Sequence, residues 1–174
     1  MMDRAFLGGM LKDWGIAFAV LAAGLFVWMV FFASKPLSEG PAPDFTLPTL
    51  DGAQMSLTDM GSGPVVLNFW FTSCGPCRQE LPELSAFQQA HPEIPILGIS
   101  VDTMGTSQLR NVVRRLPISF TVLHDQKGDV AGTYQVSTFP TTIIINEQEI
   151  RASRVGTVDQ RRLIRMLSQA GHNL

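Results

Sequence analysis

The chain has 174 residues, of which 45% are hydrophobic, enough for one ordinary domain with a hydrophobic core. Its formal net charge of −2 argues against the strongly basic surface of a nucleic-acid-binding domain. Two cysteines are too few for a small fold held together by disulfides, so we expect this pair to serve chemistry rather than architecture.

The first predicted element is an apolar helix. Residues 14–33 read WGIAFAVLAAGLFVWMVFFA, twenty residues without a charge. A helix of that length spans roughly 30 Å, the hydrocarbon thickness of a bilayer. We therefore expect a single transmembrane anchor. A cleaved secretory signal is the alternative, although the run exceeds the roughly 7–15 apolar residues of a signal core.

Positive charges on the two sides of this helix predict its orientation. Arg4 and Lys12 precede it, and Lys35 follows it. The positive-inside rule favours a short cytoplasmic N-terminus over residues 1–13, with the rest of the chain on the extracytoplasmic, periplasmic side of the cytoplasmic membrane. Residues 34–43, SKPLSEGPAP, are rich in Pro, Ser and Gly and are predicted to form a linker.

The domain predicted over residues 44–174 alternates strands with helices. Two short strands flank the turn at Asp51 and Gly52, and PVVLNFWF (64–71) is a continuous apolar run typical of a strand buried on both faces. The later predicted elements are a helix from Cys74 to about Gln89, a strand over 94–101, a helix over 107–116, a strand FTVLHD, a helix DVAGTYQV, a hairpin from TTIIIN to EIRASRVG, and an amphipathic helix VDQRRLIRMLSQA. This order favours an α/β three-layer sandwich with a mixed sheet.

Both cysteines lie in the sequence CGPC, where the first helix of this domain is predicted to begin. Unpaired backbone N–H groups and the helix dipole stabilise a thiolate there, so Cys74 is predicted to be the attacking sulfur. Cys77 lies one turn along on the same face, within reach of Cys74. Pro76 fits the first helical turn, and Gly75 leaves room for a partner's disulfide. The pattern predicts thiol–disulfide exchange, in which Cys77 resolves a mixed disulfide formed on Cys74.

Other roles for the two cysteines have less support in the sequence. A zinc site needs about four ligands, and His91, His124 and His172 show no metal-ligand spacing, so we expect them at the surface and expect no metal or cofactor. A purely structural disulfide would close too short a loop to restrain the unfolded chain. Two competing functions stay open: a metal-binding chaperone that uses both cysteines as ligands, and a peroxidase-like redoxin. The redoxin is expected to have Thr three residues before its cysteine, whereas Thr72 lies two before Cys74.

A proline marks the second part of the predicted site. Pro140, in STFPTTIII, precedes a predicted strand, where proline is tolerated at the first position. The strand, the pattern Trp-x-x-x-Cys-Gly-Pro-Cys, the helix and the later Pro-Thr-Thr together resemble the thioredoxin fold over residues 44–174. The resemblance implies a cis Phe139–Pro140 bond beside the cysteines. It also implies a substrate groove lined by Gly75, Pro76, Thr138, Phe139 and Pro140, with Trp70 either contacting substrate or packing in the core.

A closer resemblance is to the membrane-tethered TlpA/ResA/DsbE-like branch of this superfamily. It is carried by the N-terminal anchor and by APDFTLPTLDG, VVLNFW and CRQELPEL. It implies an enzyme that reduces disulfide-bearing substrate proteins outside the cytoplasmic membrane, notably apocytochromes c, with electrons from a membrane-embedded thiol reductase. VSTFPTT lacks the Gly and Glu expected of the cytochrome-maturation specialists, which weakens that particular assignment.

Three polar residues are candidates for supporting the thiol chemistry. Asn68 stands where thioredoxin has a buried Asp, and we expect it to be a hydrogen-bonded strand residue. Asp102 is either a buried proton acceptor for the resolving thiol or a cap of the next segment. Glu80, three residues after Cys77, is a second candidate acceptor, although its position favours a solvated helix surface.

Overall fold

The computed structural model describes Trp14, residues 18–25, residues 36–172 and Leu174. The chain divides into two compact units, Met1–Ser34 and Lys35–Leu174. The described residues of the first unit are helical and exposed, and the described residues include no helix with both the length and the apolar character needed to cross a bilayer. The predicted cytoplasmic segment, most of the predicted anchor and the start of the linker lie outside the described residues, so the anchor stays a prediction.

The second unit alternates strands with helices, as predicted. Its strands are β1 Gly40–Pro41, β2 Thr46–Pro48, β3 Gln54–Ser56, β4 Val65–Trp70, β5 Ile96–Ser100, β6 Thr121–His124, β7 Thr141–Asn146 and β8 Glu149–Val155. Its helices are α1 Gly75–Ala90, α2 Thr106–Val113, α3 Asp129–Thr133 and α4 Gln160–Gln169, and a 3-10 turn covers Leu57–Met60. Helix α2 ends three residues before the predicted Leu116, because Pro117 disfavours helical geometry in the residue that precedes it.

Six strands form one mixed sheet in the order β1-β8-β7-β4-β5-β6. Strands β4, β5 and β6 are parallel, whereas β7, β8 and β1 are added antiparallel. Strands β2 and β3 form a separate antiparallel hairpin around the predicted turn. The mixed sheet and the preceding hairpin confirm the α/β fold expected from the sequence.

The sheet is covered on both faces, because successive side chains of its central strand point in opposite directions. All six residues of β4 are buried. Val66 and Trp70 join a cluster with apolar residues of α1 and α4, and Val65, Leu67 and Phe69 join a second cluster with α3 and the β2–β3 hairpin. The cysteines belong to the first of these clusters, so the site is built on the sheet's most buried strand.

The outer strands of the sheet are short. Strand β1 has two residues, of which Pro41 lacks an N–H group, and it pairs with the first two residues of β8, Glu149 and Ile150. Strand β6 has four residues, and Thr49 pairs with its Leu123 from the side opposite β5. Both outer edges are therefore covered only in part, and among the described residues Arg151 to Val155 of β8 have no strand partner on their outer side.

Candidate active site

The two cysteines lie where the central strand passes into the first long helix. Strand β4 ends at Trp70, and three residues lead to Cys74, which is the N-cap of α1. The backbone N–H of Cys74 donates to the carbonyl of Phe71 at 3.2 Å, which closes this turn. Pro76 lies in the first helical turn, as expected.

Cys74 and Cys77 are joined in a disulfide bond, with an S–S distance of 2.03 Å. The backbone N–H of Cys77 donates to the Sγ atom of Cys74 at 3.1 Å. Cys74 is 6% exposed, whereas Cys77 has no exposed surface. Cys74 thus keeps a little exposed surface, and its sulfur is the one that a helix N–H group contacts, which stabilises negative charge on sulfur.

The predicted proline loop is present beside this turn. The Phe139–Pro140 peptide bond is cis, as the resemblance implied. The ring of Phe139 packs edge-on against Phe71, with ring centroids 5.5 Å apart, and Phe139 also packs against the cluster that contains both cysteines. Gly75, Pro76 and Thr138 are exposed and Phe139 is half-buried, so these residues of the expected groove are accessible to a partner, whereas Pro140, also expected there, is buried.

Trp70 does not belong to the accessible surface. Its side chain is fully buried in the core cluster that holds the cysteines, and its Nε1 has no hydrogen-bond partner among the described residues. Trp70 packs closely on β5: a Cβ atom added at Gly98 would lie 3.2 Å from Nε1. Of the two roles predicted for Trp70, the structure supports core packing and corrects its assignment to the groove.

Glu80 is only 2% exposed, which corrects the expectation of a solvated helix residue. Its carboxylate accepts hydrogen bonds from Nδ2 of Asn68 at 2.7 Å and from the backbone N–H of Val158 at 2.9 Å. Burial raises the pKa of Glu80 to about 7, and both hydrogen bonds oppose this rise. The same helical face carries Cys77 and the buried Leu81 and Leu84, a spacing in the sequence that indicates an inward-facing Glu80.

The buried carboxyl group of Glu80 adjoins a polar cleft. The cleft has a volume of about 340 Å³ and is lined by residues of α1, β8, α4 and the segment before α4: Gln79, Glu80, Glu83, Arg154, Thr157, Val158, Asp159 and Arg162. Asn68, which contacts Glu80 from β4, also donates to Thr142 at 3.3 Å. Glu80 therefore lies between the core of the sheet and a cleft through which water can reach it.

Asp102 lies two residues after the end of β5 and is 8% exposed. Its carboxylate accepts hydrogen bonds from the backbone N–H of Thr72 at 2.9 Å, from the hydroxyl of Thr72 at 2.7 Å and from the hydroxyl of Ser100 at 2.8 Å. Asp102 does not cap α2, whose N-cap is Gly105. Sequence reasoning missed both partners: Thr72 because it lies 30 residues from Asp102, and Ser100 although it lies only two residues away.

His124 is buried rather than at the surface, which corrects the sequence-based expectation. Its Nε2 lies 2.8 Å from the carbonyl oxygen of Asp102, and its Nδ1 lies 2.9 Å from the hydroxyl of Thr106. Because a carbonyl can only accept, Nε2 carries the hydrogen. In the neutral ring Nδ1 then accepts from Thr106, so the imidazole joins β6 to the end of β5 and the start of α2.

Comparison with known proteins was made for both sequence and structure. Residues 39–153 match the model of the AhpC/TSA family. The chain is 34% identical over 165 residues to the thioredoxin-like protein YneN of Bacillus subtilis, an alignment that covers 88% of this chain and 96% of YneN. It is 34% identical over 133 residues to the thiol-disulfide oxidoreductase ResA of Bacillus subtilis, which covers 74% of each chain. A secreted Mycobacterium tuberculosis disulfide oxidoreductase homologous to E. coli DsbE superposes with a TM-score of 0.62 and 25% identity, over 71% of this chain and 94% of that one.

Proposed function

The chain belongs to the AhpC/TSA family and is a thioredoxin-like thiol-disulfide oxidoreductase, and from this premise we propose that it reduces disulfide bonds in partner proteins. One observation carries the proposal. The sulfur of Cys74, the cysteine that keeps some exposed surface, accepts a hydrogen bond from a helix N–H, and it is bonded to the sulfur of Cys77, which has no exposed surface. This difference in burial gives the two cysteines different roles, because only Cys74 has surface that a partner's disulfide can approach.

The proposed cycle starts from the reduced pair. The thiolate of Cys74 attacks one sulfur of the partner's disulfide, which forms a mixed disulfide and releases the partner's other sulfur as a thiolate. Cys77 then loses its proton and attacks the Sγ of Cys74. The mixed disulfide breaks, the partner leaves with its second sulfur reduced, and the Cys74–Cys77 bond forms. Two electrons pass to the partner, and a thiol donor must return two electrons and two protons to restart the cycle.

Glu80 is the group that we assign to accept the proton of Cys77. It lies three residues along α1 on the same face, and burial raises its pKa to about 7, which suits a proton acceptor near neutral pH. The polar cleft gives the carboxyl group access to water, so the proton can leave. We assign no proton transfer to Asp102, because three donors already engage its carboxylate.

We propose that the enzyme works on the extracytoplasmic side of the membrane, held there by the apolar helix predicted over residues 14–33. The charge distribution around that segment supports the orientation, and the structurally similar disulfide oxidoreductase of Mycobacterium tuberculosis is described as secreted. A membrane thiol reductase is the proposed electron donor, and apocytochromes c are one candidate substrate. A reporter enzyme fused after Leu174 tests the location, because only the proposed orientation gives an extracytoplasmic signal.

The reductase assignment is tested by the redox state of the cysteines in the cell, measured as a gel shift after thiol alkylation. A reductase is held mainly in its reduced form, so a pair that is mostly oxidised would reverse the assignment. In vitro, the full chain should catalyse reduction of insulin by dithiothreitol. Cys74→Ser should abolish this activity, and Cys77→Ser should trap the partner as a mixed disulfide on Cys74.

Two competing functions are separated by direct assays. A peroxidase-like redoxin would consume hydrogen peroxide with a thiol donor, so sustained peroxide consumption faster than insulin reduction would favour it. A metal chaperone would bind Zn²⁺ through both cysteines and lose that binding in Cys77→Ser. Within the described part of the chain, no three His, Cys, Asp or Glu side chains converge to hold a metal ion.

A further inference from the structure

The position of Cys74 depends on a short turn, and one side chain of that turn is anchored. Three residues, Phe71 to Ser73, separate the end of β4 from the N-cap of α1. Thr72 is the middle residue of the three and is bonded through both its backbone N–H and its hydroxyl. Both bonds lead to the carboxylate of Asp102, on the neighbouring strand's end.

We propose that Asp102 is a positioning residue, whose carboxylate clamps Thr72 and thereby holds the Cys74 sulfur where the N–H of Cys77 contacts it. The proposal rests on the thiol–disulfide exchange assigned to Cys74 above. It concerns the attacking sulfur, not the transfer of a proton from the resolving one.

The geometry of the clamp restricts rotation as well as distance. Oδ2 of Asp102 accepts from the N–H of Thr72 at 2.9 Å, and Oδ1 accepts from its hydroxyl at 2.7 Å. Two parallel bonds between one planar carboxylate and one residue fix the orientation of that residue, which a single bond does not. Thr72 lies two residues before Cys74, so its orientation is passed on through Ser73 alone.

The clamp is itself held rigidly to the sheet. The hydroxyl of Ser100 donates to Oδ2 at 2.8 Å, and the N–H of Asp102 donates back to that hydroxyl at 3.3 Å. Nε2 of His124 donates to the carbonyl of Asp102 at 2.8 Å. The N–H of Val101 donates to the carbonyl of Trp70 at 3.0 Å, which joins the ends of β5 and β4. Asp102 is therefore fixed from both its side chain and its backbone.

A buried carboxylate without a cation needs a reason. Asp102 is 8% exposed, and no Lys, Arg or His of the described residues forms a salt bridge with it. Removing a carboxylate from water is unfavourable unless hydrogen bonds compensate for the lost solvation. Here the compensating donors come mainly from the turn before Cys74, so the group is placed where it restrains the site.

Loss of the contact between Asp102 and Thr72 should change the acidity of the Cys74 thiol. Its Sγ lies 3.1 Å from the N–H of Cys77, and this contact favours the thiolate once the disulfide is reduced. If the turn from Phe71 to Ser73 becomes more mobile, the Sγ of Cys74 spends less time in contact with that N–H. The pKa of the Cys74 thiol should then move towards the value of about 8.5 for an ordinary cysteine.

The test measures this acidity in the reduced full chain, as the pH dependence of alkylation by iodoacetamide, with the modified residue identified by mass spectrometry. Thr72→Val keeps the size, the β-branch and the N–H but removes the hydroxyl. It should raise the midpoint for Cys74 by about one pH unit, so that alkylation at a pH well below both midpoints becomes about tenfold slower. Thr72→Ser, which keeps the hydroxyl, should match the unmodified chain. Thr133→Val is the matched control, because Thr133 is exposed and its hydroxyl donates to the carbonyl of Asp129 in its own helix.

Asp102→Asn distinguishes a clamp from a simple charge effect. Loss of a nearby negative charge alone lowers the midpoint for Cys74, whereas loss of the clamp raises it. We expect a rise, and a fall would overturn the proposal, as would an unchanged midpoint in Thr72→Val, whatever happens to the melting temperature. Ser100→Ala, which removes one bond to the carboxylate, should give a smaller rise in the same direction and serves if the other variants fold poorly. Alkylation needs no partner protein. Failure to reduce insulin would therefore contradict the proposed function, while the alkylation midpoints would still test the positioning role of Asp102.

Discussion

Replacing Glu80 by Gln should remove a pH dependence of stability that this one carboxyl group creates. Burial raises the pKa of Glu80 from 4.5 to about 7, and the hydrogen bonds from Asn68 and Val158 offset that effect only in part. A carboxyl group with a higher pKa in the folded state binds its proton more tightly there, so protonation stabilises the fold. This contribution is complete below the unfolded pKa near 4.5 and is lost as the pH rises through 7.

The magnitude follows from the two pKa values. One pKa unit corresponds to about 1.4 kcal/mol, so Glu80 alone should lower the free energy of unfolding by about 2.5 kcal/mol between pH 5 and pH 8. The Glu80→Gln variant has no proton to lose at this position, and its free energy of unfolding should lack that decrease. Other titrating groups affect both proteins equally, so the difference between the two isolates Glu80.

Urea unfolding of the oxidised full chain, followed by circular dichroism at pH 5, 6, 7 and 8, gives the required free energies. Glu83→Gln is the matched control, because Glu83 lies one turn along the same helix, lines the same cleft and is exposed. The reasoning is refuted if the difference between the unmodified chain and Glu80→Gln stays constant from pH 5 to pH 8. It is also refuted if Glu83→Gln produces the same change.

Three further substitutions test the packing around the site. Gly98→Ala should destabilise the fold by about 1–3 kcal/mol, because the new Cβ would lie 2.6 Å from the ring of Phe120; an unchanged melting temperature would show that this ring can yield. Asp159→Ala should lower the urea concentration at the midpoint of unfolding, since its carboxylate caps α4 at a distance of 2.7 Å, and Asp159→Asn should recover most of that loss. Ser85→Ala should cost about 1–3 kcal/mol, because its buried hydroxyl accepts from the N–H of Ser119; a smaller loss on thermal unfolding would mean that water replaces it.

The sheet and the position of the cysteines could be predicted because their signals are local. The apolar run VVLNFW gives a buried strand directly, and CGPC followed by a helical pattern places Cys74 at the helix start. The cis Phe139–Pro140 bond was different, because it followed from resemblance and not from the residues alone. Local sequence patterns thus predicted the secondary structure, whereas the family resemblance predicted the cis peptide bond.

The polar interior could not be predicted, because it depends on which face of each element turns inward. The spacing of Glu80 from the other buried residues of α1 indicates its inward face, but its partner Asn68 is set only when α1 packs on β4. His124 and Asp102 become partners only when β6 and β5 pair in register. The contact between Thr72 and Asp102 joins two loops that no periodicity links. Each of these is a tertiary contact, and single-sequence patterns report only the local chain.

The short outer strands of the sheet affect how readily a bound partner protein dissociates. A long free edge lets a foreign strand continue the ladder, and such additions are hard to reverse. An enzyme that reduces disulfide bonds in incompletely folded partner proteins, as proposed above, would often contact such exposed strands. Strand β1 covers two residues of β8, and Thr49 pairs with Leu123 of β6; the rest of the outer edge of β8 carries Arg151 and Arg154, charged side chains of the kind that discourage strand addition. The mixed disulfide is then the main bond to the partner protein, and the partner dissociates once Cys77 breaks that bond.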